Sequence, residues 1–450
     1  MAPVDALADI VGGDHVLTEP SMVAGYTTDW TGRFIGAHTV VVRPGSTDEV
    51  AAVVGLCRHE GISIVPQGGN TGLVGGSVPL NGEIVVSLRR LNAIDVPDVV
   101  SRSIVVGAGA VLADVQAAAA EVGLRYAIDM GSRGSATIGG SIATNAGGLN
   151  LLRYGGTREQ LLGVEAVLGN GAVVSAMSGL AKDNTGYHLP SLLCGSEGTL
   201  GIVTKARLRL VPATPYQATA MVAFESLDAA IAASVRWRRD LVDLEALEVM
   251  LGDGIQLVAS TFKMAPPFAT AHEVVVLVEL AASQDPYDDL AAAVASVDGV
   301  LDAAVATDST TRESLWRFRD EHTSAINRIG PPHKFDVTLP IVVLGSAVER
   351  VRDVIAAARP DAHVWIFGHL GDGNLHVNVT GTSAVDEELD DLVLQVVVAM
   401  GGSISAEHGI GTAKARYLSW QRSHEELDAM RAIRDALNPD RLLNPAVLIP

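Results

Sequence analysis

Between residues 40 and 210, short apolar runs alternate with longer amphipathic stretches. VVVRP (40–44), ISIVP (62–66), EIVVSL (83–88) and SIVVGAG (103–109) read as strands. Ser46 and Glu49 make a capping-box pattern for a helix ending near Gly61, and VLADVQAAAAEVG (111–123) reads as a second helix. Residues 163–210 read as strands around a Gly-Asn-Gly turn and the run GIVTKARLRLV. Pro212 and Pro215 then break the pattern, which places a domain boundary there. The expected division is 1–212 and 213–450, with about 438–450 returning to the first domain.

After that boundary the rhythm changes. Strand 217–224, helix 227–238, strands 244–250 and 273–281, helix 286–297 and strand 300–307 spell βαββαβ. A helix at 311–328 leads into a second copy: strand 334–343, helix 347–358, strands 362–367 and 374–380, helix 386–399, strand 402–406. The predicted fold class is therefore α+β. Two ferredoxin-like βαββαβ units form a mostly antiparallel sheet with helices on one face. Ser423 and Glu426 cap a last helix that Asn438-Pro439 stops.

A length of 450 residues exceeds one compact core, and 48% hydrophobic residues argue against long disorder. The net charge of −20, without a Lys/Arg-rich run, disfavours nucleic acid and anionic membranes as partners. Two cysteines, Cys57 and Cys194, exclude a disulfide framework and point to a reducing compartment. The N-terminus lacks signal-peptide character, and the apolar runs are too short to span a bilayer. A cytoplasmic protein with no integral membrane segment is expected.

Glycine brings chemistry into the picture. PQGGNTGLVGGSV (66–78) follows an apolar strand but is neither a Walker A loop nor a G-x-G-x-x-G fingerprint. GSRGSATIGGSIATNAGG (131–148) and CGSEGTLGIVT (194–204) are two more such blocks. Each alone reads as a tight turn. Three in one domain read as a cradle of backbone amides for one extended polyphosphate ligand.

These blocks resemble the flavin-binding domain of the vanillyl-alcohol-oxidase/PCMH-type FAD family, over about 35–212. The resemblance implies a first domain of two α+β subdomains that binds FAD. It implies cofactor contacts at Pro66, Gln67, Gly68, Gly69, Asn70, Thr71, Gly72, Gly76 and Ser77 in the first block. In the second it implies Met130, Gly131, Ser132, Thr137, Gly139, Gly140, Ser141, Thr144, Asn145, Gly147 and Gly148. Glu197, Gly198, Gly201 and Ile202 follow in the third, with Asn374 and Asn444 further on. Asn70 stands where some relatives tether the flavin through histidine, so non-covalent FAD is expected.

FGHLGDGNLHVNV (367–379) sets His369 and His376 on either side of a Gly-Asp-Gly turn, with Asn378 on the same strand face as His376. SAEHGIGTAK (405–414) offers Glu407 and His408. Two imidazoles and a carboxylate suit Zn2+, Mn2+ or Fe2+ and leave positions for substrate. Singly, each histidine is a hydrogen-bonded core residue. Arg319 and Thr323 share a helix face at i, i+4, and Lys334 opens the next strand. They read either as a carboxylate clamp or as part of an exposed salt-bridged helix.

HLGDGNLH, SAEHGIGTAK and the closing LNP (443–445) resemble the D-2-hydroxyacid dehydrogenases, the D-2-hydroxyglutarate dehydrogenases above all. The likeness covers nearly the whole chain. It implies His369, His376 and Glu407 as ligands of a divalent metal, usually zinc, and His408 as catalytic base and substrate contact. It implies Arg319, Thr323, Lys334 and Asn378 as further substrate contacts. HKFD (333–336) departs from relatives that carry an aromatic residue before the lysine. The implied partners are a small 2-hydroxy acid, an electron acceptor such as an electron-transfer flavoprotein or quinone, and a second copy in a homodimer. Rival readings are a D-lactate dehydrogenase or glycolate oxidase flavin subunit, a flavin-free metallohydrolase, and a non-redox flavoprotein of the alkylglycerone-phosphate synthase kind.

Overall fold

The structure is a computed structural model that describes residues 3–180 and 182–449. Two compact units emerge: Met1–Gly148, Tyr154–Ala213 and Glu407–Pro450 form the first, Leu149–Arg153 and Thr214–Ala406 the second.

The first unit holds two four-stranded sheets. In one, Val41–Val42 and Ile64–Gln67 flank Ile84–Ser87 in parallel, and Val16–Leu17 pairs antiparallel at the edge. In the other, Ser103–Gly107, Gly201–Arg209, Leu161–Leu168 and Val173–Ala176 run antiparallel in that order. The helix Thr47–Glu60 presents Val50, Val53, Val54 and Cys57 to a core shared with Ile64 and Ile84 of the first sheet and Val164 of the second. Ser46 caps it by accepting from Glu49 N at 3.1 Å, but the Glu49 carboxylate reaches back to Gly45 N at 2.7 Å, one residue beyond the expected box. The chain's last stretch belongs to this unit. Ile64 N donates to Leu442 O, and Asn444 N to Ile64 O, so the LNP tripeptide lies beside the strand that enters the first glycine loop. The helix His424–Leu437 opens on the expected Ser423–Glu426 capping box.

The second unit is built on one antiparallel sheet of seven strands: β1 (Tyr216–Phe224), β2 (Leu244–Leu251), β3 (Val274–Ala282), β4 (Val300–Val305), β5 (His333–Thr338), β6 (His363–His369) and β7 (Asn374–Thr380). Their order is β4-β1-β3-β2-β6-β7-β5. The first repeat contributes β4-β1-β3-β2, the order a complete βαββαβ unit gives. The second contributes β6-β7-β5, with its fourth strand reduced to a single bridge between Ser403 and Thr338. The strand expected at 402–406 does not form. Ser403 Oγ bonds the backbone of Ser405 on both sides, a local alternative to a ladder. The repeats join at β2 and β6, where Glu248 faces His369 and Met250 faces Phe367.

Helices cover both faces of this sheet, not one. Leu227–Asp240 packs on one face, Trp237 set edgewise against Phe224. On the other, Gly252–Phe262, Ser309–Asp320 and His322–Ile329 close over Met221, Met250, Leu277 and Phe367. The first of these helices escaped the sequence reading because it opens on Gly-Asp-Gly and has no side-chain cap. The single helix expected at 311–328 is two. At the break the His322 side chain takes the Phe318 carbonyl that a continuing backbone would use. The strand expected to reach 343 ends at Thr338, ahead of Pro340.

Candidate functional site

In the first unit the first two glycine blocks pack directly on each other. A Cβ on Gly68 would fall 2.2 Å from Thr137 Oγ1, and one on Gly69 would fall 2.2 Å from Ser135 O. Only bare backbone fits there. Among the described residues, no protein acceptor takes the backbone N–H of Gly68, Gly69, Asn70, Thr71 or Gly72. Thr137 Oγ1 is likewise buried and unpartnered. A run of unclaimed amides after a strand, with a hydroxyl beside it, fits a polyphosphate cofactor.

Other residues of these blocks are committed to the frame. Gln67 Nε2 donates to Tyr26 O and Ser77 O, and Asn70 Nδ2 to Thr28 O at 2.8 Å. Gly139 N donates to Ala108 O at 2.7 Å, so this glycine serves helix-to-strand packing. Asn145 closes the helix Ile138–Thr144 in the left-handed conformation, and its Oδ1 accepts from Arg158 N. Buried Glu197 accepts from Ile410 N and Gly411 N at 2.8 and 2.7 Å, while burial raises its pKa above the ordinary glutamate value. Asn444 Nδ2 donates to Gly76 O and Glu197 O, tying the first block to the third.

In the second unit, alternation along the strands sorts polar from apolar. Val249, Gly368, Leu375, Val337, Ile366, Val377 and Phe335 point to one face. The other face carries three cross-strand rows: Glu248, His369, Asn374 and Thr338; Met250, Phe367, His376 and Asp336; Trp365, Asn378 and Lys334. Here His369 and His376 come together, ring centroids 5.4 Å apart and planes at 81°.

Each imidazole has a carboxylate on Nδ1. Glu248 Oε1 lies 2.7 Å from His369 Nδ1, and Asp336 Oδ1 lies 3.6 Å from His376 Nδ1. Glu248 is fully buried. Burial opposes its charge, but its contacts with His369 and Arg319 outweigh that and hold its pKa below the usual glutamate value. An ionised Glu248 makes His369 Nδ1 the donor and leaves Nε2 with the lone pair, the state a metal ligand needs. The donor chemistry thus fits a divalent cation.

Arg319 Nε donates to Glu248 Oε2 at 2.6 Å, and its guanidinium lies 4.9 Å over the Phe367 ring. Thr323 sits on the next helix, past the break at Glu321, so it does not share one continuous helix with Arg319. Lys334 pairs across strands with Asn378, and burial lowers its ammonium pKa. Glu407 and His408 open the last segment of the first unit, where Glu407 Oε1 accepts from Gly148 N at 3.0 Å. The chain reaches them straight from Ala406, whose N–H donates to Asp336 O, the cross-strand partner of His376. Sequence reasoning missed Glu248 and Asp336. The available signal was acids set inside strands, Glu245 and Glu248 in LEALEVML and Asp336 in HKFDVT.

Comparison with known proteins adds the lineage. Residues 38–176 match the FAD binding domain family, and 213–448 match the C-terminal domain of FAD linked oxidases. D-2-hydroxyglutarate dehydrogenase of Xanthomonas citri pv. viticola is 39% identical over 98% of this chain and 96% of its own. The mitochondrial enzyme of that name from Bos taurus is 37% identical over 99% of this chain and 83% of its own. The substrate-bound crystal structure of p-cresol methylhydroxylase shares the fold, with a TM-score of 0.79 at 16% identity, covering 99% of this chain and 96% of that one. No helix among the described residues is long and apolar enough to cross a membrane. From matches that span both halves, the chain belongs to the FAD-linked oxidases, in the family that includes the D-2-hydroxyglutarate dehydrogenases.

Proposed function

We propose that this protein oxidises a D-2-hydroxy acid, D-2-hydroxyglutarate first among them, to the 2-oxo acid. The observation that carries this reading is the polar sheet face, where two carboxylate-anchored imidazoles share a surface with Lys334, Asn378 and the Arg319–Glu248 pair. Relatives named for that activity support it.

His369, His376 and Glu407 would hold the divalent cation, zinc by preference for two nitrogens and a carboxylate. When bound, it supplies Lewis acidity at the substrate's 2-hydroxyl. FAD, held without a covalent link in the glycine blocks, supplies the two-electron acceptor. His408 takes the hydroxyl proton in its neutral form. Arg319 and Lys334 provide cations for carboxylates, and Thr323 and Asn378 add hydrogen bonds that fix orientation. Arg319 spends only Nε on Glu248, so its terminal amino groups remain to pair with a carboxylate. Two cations suit a dicarboxylate better than lactate or glycolate. An electron-transfer flavoprotein or a quinone would take the electrons onward. Two buried free thiols accord with a reducing cytoplasm.

Anaerobic titration of the purified protein with D- and L-2-hydroxy acids tests the reading. The flavin absorbance should bleach with D-2-hydroxyglutarate at lower concentration than with D-lactate or glycolate, and not with the L-isomers. An unbleached flavin across the panel would refute it. His408→Ala should stay yellow and lose turnover by about a hundredfold or more.

A further inference from the structure

We infer that Glu248 is a positioning residue that sets two groups at once, the imidazole of His369 and the guanidinium of Arg319. This rests on the reading of His369 as a metal ligand and goes beyond it. One oxygen of the carboxylate meets His369 Nδ1 at 2.7 Å and the other meets Arg319 Nε at 2.6 Å. The side chain of Glu248 is 1% exposed, that of His369 9% and that of Arg319 10%, so water competes little for either bond.

The location explains why one carboxylate serves both. Glu248 stands on β2 at the seam between the repeats, directly opposite His369 on β6. Arg319 comes from the helix Ser309–Asp320, which connects the two repeats and lies over the same sheet face. A group of the second repeat and one of the connecting helix are thereby joined through one rigid anion on the first repeat. Fixing Nδ1 as the donor fixes the ring plane and leaves Nε2 as the ligating atom. Fixing Nε fixes the plane of the guanidinium, and with it the direction of the terminal amino groups. Glu248 touches neither the metal nor the substrate in this scheme; it acts through residues that do.

The test is Zn2+ affinity of the flavin-loaded protein, measured by competition with a chromogenic chelator. The arms are wild type, Glu248→Gln, Glu248→Asp, His369→Ala and Glu279→Gln. Glu279 is the control, a buried acid on the same face that touches no histidine. Glu248→Gln should weaken Zn2+ binding about ten- to a hundredfold with flavin content unchanged. Glu248→Asp, which keeps the charge and shortens the reach, should weaken it too and stands in should the glutamine variant fail to fold. Glu279→Gln should stay within about twofold of wild type. KM for D-2-hydroxyglutarate should rise in Glu248→Gln, because Arg319 loses its anchor. Zn2+ affinity within about twofold of wild type in both Glu248 variants overturns the inference, as does an equal loss in Glu279→Gln. If His369→Ala binds Zn2+ as wild type does, the metal-ligand reading itself has failed and the positioning role falls with it. That arm separates the two failures.

Discussion

The β2–β3 pair and the β6–β7 pair hold equivalent places in the two repeats, and they treat the same sheet face in opposite ways. Between β2 and β3 the chain inserts the helix Gly252–Phe262, whose Ile255 and Val258 pack over Met250 and Val275. Between β6 and β7 there is only the turn 370–373, where Gly373 takes φ 82 and a Cβ would lie 2.2 Å from Leu339 O. On β3 the one acid of that face is closed by protein: Glu279 accepts from Thr219 Oγ1, from Arg312 twice and from Trp316 Nε1 at 2.5–2.7 Å. On β6 and β7 the imidazoles are each held from the Nδ1 side by one carboxylate. Where the connection folds back over the sheet, polar groups finish one another. Where the turn is tight, the face keeps two imidazoles side by side, ring centroids 5.4 Å apart.

The sharpest way to break this contrast is to delete a group from each side. His369→Ala or His376→Ala should cut kcat/KM about a thousandfold or more while flavin stays bound, as loss of a metal ligand does. Glu279→Ala should leave kcat/KM of the folded protein within about threefold. Near-normal turnover in both histidine variants would erase the distinction. Stability should respond the other way. Removing Glu279 strands Arg312 and Trp316 and should cost about 2–3 kcal/mol in urea unfolding, less than a fully buried pair because the Arg312 side chain is 31% exposed. A Glu279→Ala protein as stable as wild type would mean that this network contributes nothing net.

Much of this was legible beforehand, for physical reasons. The repeat order followed from period-two strands alternating with amphipathic helices, and β1, β3 and β7 lie within one residue of their expected bounds. That His369 and His376 could meet was legible because a tight turn joins the two strands that carry them, and their rings do come together. Glu248 was not, because its meaning depends on β2 meeting β6, a pairing between residues more than a hundred positions apart. The helix at 252–262 was hidden by its glycine-rich opening. The fourth strand of the second repeat was overcalled because SISA (403–406) has strand-like residues but bonds locally instead.

His322 offers a smaller, pH-dependent probe of the covered region. Its Nδ1 engages Phe318 O, while Nε2 is buried without a protein partner, and burial pushes its pKa down to about 3. The folded-state pKa lies below the unfolded value near 6.5, so the unfolded chain binds the extra proton. Stability from this group is full above about pH 6.5 and is lost as pH falls toward 3, at a limiting slope of about 1.4 kcal/mol per pH unit. His322→Leu should remove one proton's worth of that slope from urea midpoints taken between pH 6.5 and 4. An unchanged slope would show that His322 does not stay neutral in the fold.

The finest test compares the two carboxylates behind the imidazoles. Asp336 Oδ1 stands 3.6 Å from His376 Nδ1, against 2.7 Å for Glu248 and His369, and it also accepts from Asn374 Nδ2 at 3.2 Å. At that distance Asp336 biases the imidazole by charge more than by a formed hydrogen bond. Asp336→Asn keeps the shape and a carbonyl oxygen and removes only the charge. Zn2+ affinity should fall by about three- to fivefold, less than for Glu248→Gln under the same chelator competition. A loss as large as that of Glu248→Gln would mean that net charge near the imidazoles, and not the short contact that fixes one ring, sets how tightly the cation is held.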